Sequence, residues 1–302
     1  MAKDYEHFME YSSNWKNNTG ELEFPMTNDY LFRALLQKDE KTLRALVATF
    51  LNVEPERIND VEITNPVVLG ESIDDKEYHL DVMVLVDHNR KMNLEMQVLR
   101  HDGWNERTLA YACREFDDLN KGAPYTDILG IWQISICCFD LFEDEPEFFS
   151  DFLLINTKKP KQIYSTKLRI SNVNLNRINL ASEEDVASGL TDWARLFKAK
   201  SWEELKMLAQ DNTTLDQAAS SISQLTSDKK IRDEIWRRED NARIELTNRM
   251  AYESVKKQLE EKDAQLEEKN AQLDIKDAQL EVKNAEIERL QKILKEHNIS
   301  IN

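Results

Sequence analysis

The sequence predicts a mixed α/β domain followed by a helical segment and a C-terminal parallel coiled coil. Three observations carry that prediction. Residues 91–98 alternate strictly between apolar and polar, the period of a strand with one buried face. Residues 28–50 and 104–121 place apolar side chains at helical spacing on either side of it. From Leu259 onward an apolar residue returns at every seventh position, the repeat of a coiled coil.

Composition sets the bounds. The 302 residues carry 40 Lys+Arg against 57 Asp+Glu, a net charge of −17. The length suggests roughly two domains of about 150 residues, and 41% hydrophobic content supports a proper core. Only 6 Gly and 6 Pro are present, so turns are scarce and long helices are expected. No run approaches the ~18 apolar residues of a membrane span. The start, MAKDYEHFMEYSSNW, lacks the apolar stretch of a signal peptide. Three cysteines, two of them adjacent (Cys137, Cys138), cannot build a disulfide framework. Each sits in an apolar context and reads as a buried thiol. These features predict a soluble, cytoplasmic protein without a membrane partner, and the charge argues against a generally basic nucleic-acid binder.

The elements follow in order. Residues 1–26 read as an N-terminal extension, and residues 27–185 as the α/β domain. Leu31, Leu35, Leu36, Leu43, Leu46, Val47 and Phe50 define one helix over 28–50, which Thr27 or Asn28 can cap. Val61–Ile63 is a short strand. Residues 78–86, YHLDVMVLV, form a second, and Asp87–Arg90 a turn. Residues 91–98 form a third strand, with Leu94, Met96 and Val98 on one face and Asn93, Glu95 and Gln97 on the other. A helix then runs from Trp104 to Lys121, with Gly122 as its C-cap and Pro124 blocking continuation. Residues 128–139, ILGIWQISICCF, read as a buried strand. The core order is helix, strand, strand, strand, helix, strand. Residues 186–250 are a helical segment in which Ser201 and Glu204 fit a capping box.

The hairpin brings two acids together. A three-residue loop at 87–89 places residue 86 opposite 90, and counting back puts Asp81 opposite Glu95. Adjacent carboxylates repel unless they are protonated or bridged by a cation. Hard oxygen ligands on an open polar face suit Mg²⁺ or Mn²⁺. Such an ion would polarise a phosphoryl oxygen and generate hydroxide from bound water. Pattern alone leaves a second reading open, that of a solvent-exposed strand face that is merely polar.

The run DKEYHLDVMVLVDHNRKMNLEMQV, with Thr27–Phe32 before it and Arg107, Tyr111 and Lys121–Tyr125 after it, resembles the PD-(D/E)XK nuclease superfamily. It is most similar to the Rpn family of recombination-promoting nucleases, also labelled putative transposases, and the region around Trp193 looks like that family's downstream part. The resemblance implies a restriction-endonuclease-like αβββαβ core and a Mg-dependent DNA endonuclease. It implies Asp81, Glu95 and the backbone carbonyl of Met96 as metal ligands. Gln97 stands where the superfamily usually has lysine. Glutamine orients water but supplies neither charge nor a base.

Four residues are candidate supports. Lys76 stands near the site or is an exposed turn lysine. Arg107 and Tyr111, at i,i+4 on one helix, reach the DNA phosphate or brace the active-site strands. Asp29 contributes from the first helix or complements that helix's N-terminus. Lys158, Lys159, Lys161, Lys167 and Arg169 form a stretch without an acid, suited to sequence-independent phosphate contacts. The alternative function is a catalytically inactive DNA-associated scaffold or regulator assembled through the tail.

The tail, residues 251–302, repeats a unit close to K-(D/N)-A-Q-L-E-x. Leu259, Leu266, Leu273, Leu280, Ile287 and Leu294 fall at heptad position d, with Asp263, Asn270, Asp277, Asn284 and Gln291 at a. Lys262, Lys269, Lys276 and Lys283 at g face acids at e of a partner, which favours a parallel homo-oligomer, with a dimer preferred. Lys256–Glu296 holds 9 basic and 11 acidic residues, so the acidity belongs mainly to the rest of the chain. DNA binding must therefore rest on metal ions and a local basic patch.

Overall fold

The structure, a computed structural model, describes residues 15–66, 82–117 and 122–296. The chain divides into two compact units, residues 1–239 and 240–302.

The first unit opens with α1 (Asp29–Lys38) and α2 (Glu40–Leu51). The single helix expected over 28–50 is thus two. Asp39 breaks it, with an extended backbone (φ −119, ψ 92). Its Oδ1 accepts from the backbone N–H groups of Lys41 and Thr42, each at 3.1 Å. The N-cap side chain satisfies the first donors of α2, so a break occurs with neither Gly nor Pro to mark it.

Six strands follow: β1 (Val61–Ile63), β2 (Val82–Val86), β3 (Arg90–Gln97), β4 (Gly130–Cys137), β5 (Phe149–Asn156) and β6 (Lys159–Asn174), with α3 (Trp104–Phe116) between β3 and β4. They form one sheet in the order β1-β2-β3-β4-β6-β5. β1, β2 and β3 pair antiparallel, β3–β4 and β4–β6 are parallel, and β5–β6 is antiparallel. The expected core order therefore holds from α1 to β4, with α1 and α2 in place of one helix. The β5–β6 hairpin is an addition that the sequence pattern does not announce.

The β2–β3 register is the expected one: Val86 stands opposite Arg90 and Val82 opposite Leu94. Asp87 and His88 turn the chain with φ of 47° and 53°. Residues 78–81 of the expected second strand lie outside the described residues. So do residues 118–121 of the helix expected over 104–121, whose described part ends at Phe116 with Asp117 as C-cap. Gly122 (φ 87°) is thus not that helix's C-cap.

Alternation sorts the two faces of the sheet. Val82, Val84, Met92, Leu94, Met96, Ile134 and Ile136 join one hydrophobic cluster with Leu31, Phe32, Leu35 and Leu36 of α1 and Leu46 and Val47 of α2. Each such side chain contributes about 1.5–3 kcal/mol by leaving water. Val98, assigned to this face from the sequence, is exposed, because β3 ends at Gln97.

The expected helical segment resolves into α4 (Glu183–Ala187), α5 (Leu190–Lys198), α6 (Trp202–Ala209), α7 (Thr213–Ser227) and α8 (Lys229–Glu296). Phe197 of α5 packs edge-on against Phe32 at 5.5 Å, and Trp193 donates to the Thr49 hydroxyl at 3.0 Å. Ser201 caps α6 through the Glu204 N–H (3.2 Å). Glu204 returns its bond to the N–H of Lys200, not of Ser201, so the expected box closes one residue early. The first turns of α8 belong to the core, with Ile231 and Ile235 buried.

In the second unit α8 continues as a single helix to Glu296. Leu259, Leu266, Leu273, Leu280 and Ile287 are 51–58% exposed, so the heptad seam faces solvent in the single chain. Among the described residues, no helix is long and apolar enough to cross a membrane.

Candidate active site

The second face of the sheet is polar, and α3 covers it. Asn93 and Glu95 project from β3 onto this face and are 1% and 6% exposed. The parallel ladder sets Asn93 opposite Gln133 and Glu95 opposite Ser135 on β4. Asn93 donates to Gln133 Oε1 at 2.8 Å, and Gln133 donates to Glu95 Oε2 at 3.4 Å. From above, Arg107 of α3 reaches Glu95 Oε1 at 3.2 Å. A buried carboxylate needs such partners, because burial without them disfavours its charge. The sequence left open an exposed polar strand face, and the structure shows a buried one.

The expected site residues separate as follows. Glu95 and Arg107 come together. Arg107 lies 5.3 Å from the Trp104 ring centroid and 5.2 Å from that of Tyr111. Tyr111 thus lies against the arginine, whose bond to Glu95 links α3 to β3. Gln97, one step along the same face, donates its amide N–H to Leu99 O at 2.8 Å. Met96 turns its side chain into the opposite core. Asp81 and Lys76 lie outside the described residues. Asp29 sits elsewhere. Burial raises its carboxyl above the ordinary value, the Arg238 charge on α8 works against that rise, and Glu234 adds to it.

The basic stretch belongs to β6 and the turn before it. Lys158, Lys159 and Lys161 are exposed. Lys167 and Arg169 are committed within the fold. Lys167 Nζ donates to Thr126 O (3.1 Å) and Ile128 O (2.5 Å). Arg169 forms two 2.7 Å bonds to Asp151 and lies 3.7 Å over the Trp132 ring.

Sequence reasoning missed Gln133, Ser135 and Cys137, which share this face beside Glu95. Their spacing of two within an apolar strand was the available signal. Burial, with the Glu95 carboxylate adding to it, pushes the Cys137 thiol well up, so it stays protonated and is a poor metal ligand. Cys113, expected to be buried, is exposed, because it lies on the outer side of α3. The oxygen donors that remain fit a hard cation better than a soft one. Separately, single ligand atoms of Asp60, Glu62 and His88 lie within 4.8 Å of one another at partly or fully exposed positions. That group is by the β2–β3 turn, about 16 Å along β3 from Glu95 at ~3.3 Å per residue.

Fold and face together give a mixed α/β domain with an acid-bearing strand beneath a helix, consistent with a PD-(D/E)XK-like fold. A family profile described as PD-(D/E)XK nuclease family transposase matches residues 26–253, and the chain belongs to that family. The match ends at Glu253, ahead of the first heptad leucine at Leu259. Searches of curated proteins and of solved structures returned no match.

Proposed function

We propose that the protein is a metal-dependent DNA endonuclease acting in recombination, mobile-element movement or defence. The observation that carries this reading is Glu95, an acid kept buried on the polar face of β3 in a chain of this family. Asp81, which precedes Val82, is the proposed second carboxylate. Support for that pairing comes from the ladder, in which Val82 already stands opposite Leu94. Asp81, Glu95 and the Met96 carbonyl would hold Mg²⁺ or Mn²⁺. A bound divalent ion supplies Lewis acidity towards a phosphoryl oxygen and lowers the pKa of bound water.

The chain's own residues do the positioning. Arg107 and Gln133 fix the Glu95 head from two sides. The Gln97 amide nitrogen is spent on Leu99 O, which leaves Oε1 to accept from the attacking water. Lys158, Lys159 and Lys161 would contact the DNA backbone, and the tail would join two copies in parallel.

One observation favours the alternative, an inactive DNA-associated scaffold: both Glu95 oxygens already accept from protein donors. A plasmid assay separates the two. The endonuclease cuts with Mg²⁺, is silent in EDTA, and loses activity in Asp81→Ala and Glu95→Ala. Cutting that survives in either variant removes that residue from the site, and no cutting under any condition favours the scaffold.

A further inference from the structure

Beside Glu95, under the outer edge of α3, lies a cavity of about 190 Å³. Trp104, Leu109, Phe142 and Phe152 supply apolar walls, and Ser135 and Asn172 a polar floor. The Phe142 and Phe152 rings meet edge to face at 6.2 Å, and both are partly open to solvent, 48% and 38% exposed. The floor differs. Ser135 and Asn172 are 2% and 4% exposed, yet Ser135 Oγ and Asn172 Oδ1 have no hydrogen-bond partner among the described residues. Buried polar atoms are nearly always paired, so two orphans in one small cavity point to a ligand that completes them.

The sheet fixes where that ligand stands. Glu95 is opposite Ser135, and Ser135 is opposite Asn172. The three form a row across β3, β4 and β6, one strand spacing of about 4.8 Å apart at each step. A phosphate at Glu95 thus has its own base within reach of Ser135 and Asn172. Aromatic walls suit a flat π-face. An amide oxygen without a donor suits an exocyclic amine, which adenine, cytosine and guanine present and thymine lacks.

We propose that this cavity takes one unstacked nucleobase of the substrate strand, with a preference for bases bearing an exocyclic amine. The inference rests on the nuclease reading and deepens it. A base within a duplex is stacked on its neighbours, so the substrate must be single-stranded, or the base must be flipped out.

The test uses the full chain with Ca²⁺ in place of Mg²⁺, a hard cation for the same oxygen ligands, and phosphorothioate-linked oligonucleotides, so that cutting does not enter. An oligothymidine carrying a single 2-aminopurine is titrated with protein while 2-aminopurine fluorescence is followed. A fluorescein-labelled copy reports total binding by anisotropy. The expected result is a change in 2-aminopurine fluorescence on binding. Oligothymidine with one adenine or cytosine should compete about tenfold better than pure oligothymidine, given the usual worth of a hydrogen bond to a buried acceptor otherwise left unpaired. Asn172→Ala and the double variant Phe142→Ala/Phe152→Ala should lose the fluorescence change and keep anisotropy binding. The proposal is overturned if the change persists in these variants, if thymine competes equally, or if no oligonucleotide binds. Plasmid cutting run in parallel keeps the readings apart. A base signal without cutting sinks the nuclease reading alone, and cutting without a base signal sinks the pocket alone.

Discussion

Arg107 holds the clearest residue-level role in the polar face, because it is the cation beside a buried carboxylate. Removing it takes the guanidinium away from Glu95 Oε1. Arg107→Ala should cost about 1–3 kcal/mol of stability. Millimolar Mg²⁺ should restore part of that, since a ligand that binds only the folded state raises its stability. Thermal unfolding with and without Mg²⁺ checks this, and an Mg²⁺-independent deficit would remove Glu95 from the metal reading. Glu234 gives a second test. Burial works to raise its pKa, but hydrogen bonds from Arg237 and Arg238 hold the carboxyl below its ordinary 4.5. A depressed pKa contributes stability that is fully present above 4.5 and lost as pH falls through the folded value. Glu234→Gln should therefore be less stable by about 1–3 kcal/mol at neutral pH, with the gap closing in acid. Denaturant midpoints across pH would show it. At this scale the alternation of Asn93, Glu95 and Gln97 was legible in the sequence. Their partners on β4 were not, since they depend on a parallel pairing with a strand some forty residues away.

At the scale of elements, the junction of α1 and α2 shows one side chain ordering three helices. Besides capping α2, Asp39 Oδ2 accepts from Ser221 Oγ (2.6 Å) and Gln217 Nε2 (3.1 Å) of α7. Asp39→Ala should cost about 2–4 kcal/mol, the loss of a cap plus buried donors left unpaired. Asn, which keeps one oxygen, should cost less, and urea unfolding ranks the two. The β5–β6 hairpin escaped sequence reading for a physical reason. Its tip is solvated on both faces, so no alternation survives, and the lysines stood out instead of the strand. The fold then divides those lysines by task. Charge reversal at Lys158, Lys159 and Lys161 should weaken DNA binding and flatten its salt dependence by about 0.9 in log–log slope per lost duplex phosphate contact. An unchanged slope would take the hairpin out of DNA contact. Substituting Arg169 should instead lower stability, because it is tied to Asp151 and Trp132.

For the whole molecule, the family match and the heptads occupy separate stretches, so assembly can be tested apart from the fold. A chain ended at Glu253 should sediment as a monomer where the full chain self-associates, and equal masses would end the coiled-coil reading. The net charge of −17 lies mostly outside the tail, so longer tails would not make the protein a better polyanion binder. The tail has a further consequence. Asp263, Asn270, Asp277 and Asn284 alternate at position a. Two parallel helices in matched alignment would set aspartate against aspartate at every second layer. Slipping one helix by a single heptad, about 10 Å at 1.5 Å per residue, sets three of the pair's four aspartates against asparagine and the fourth against Lys256, and removes the repulsion for the loss of one layer. Because neighbouring heptads are near copies, little else changes. A paired tail is therefore expected to settle out of step, making an asymmetric dimer from identical chains.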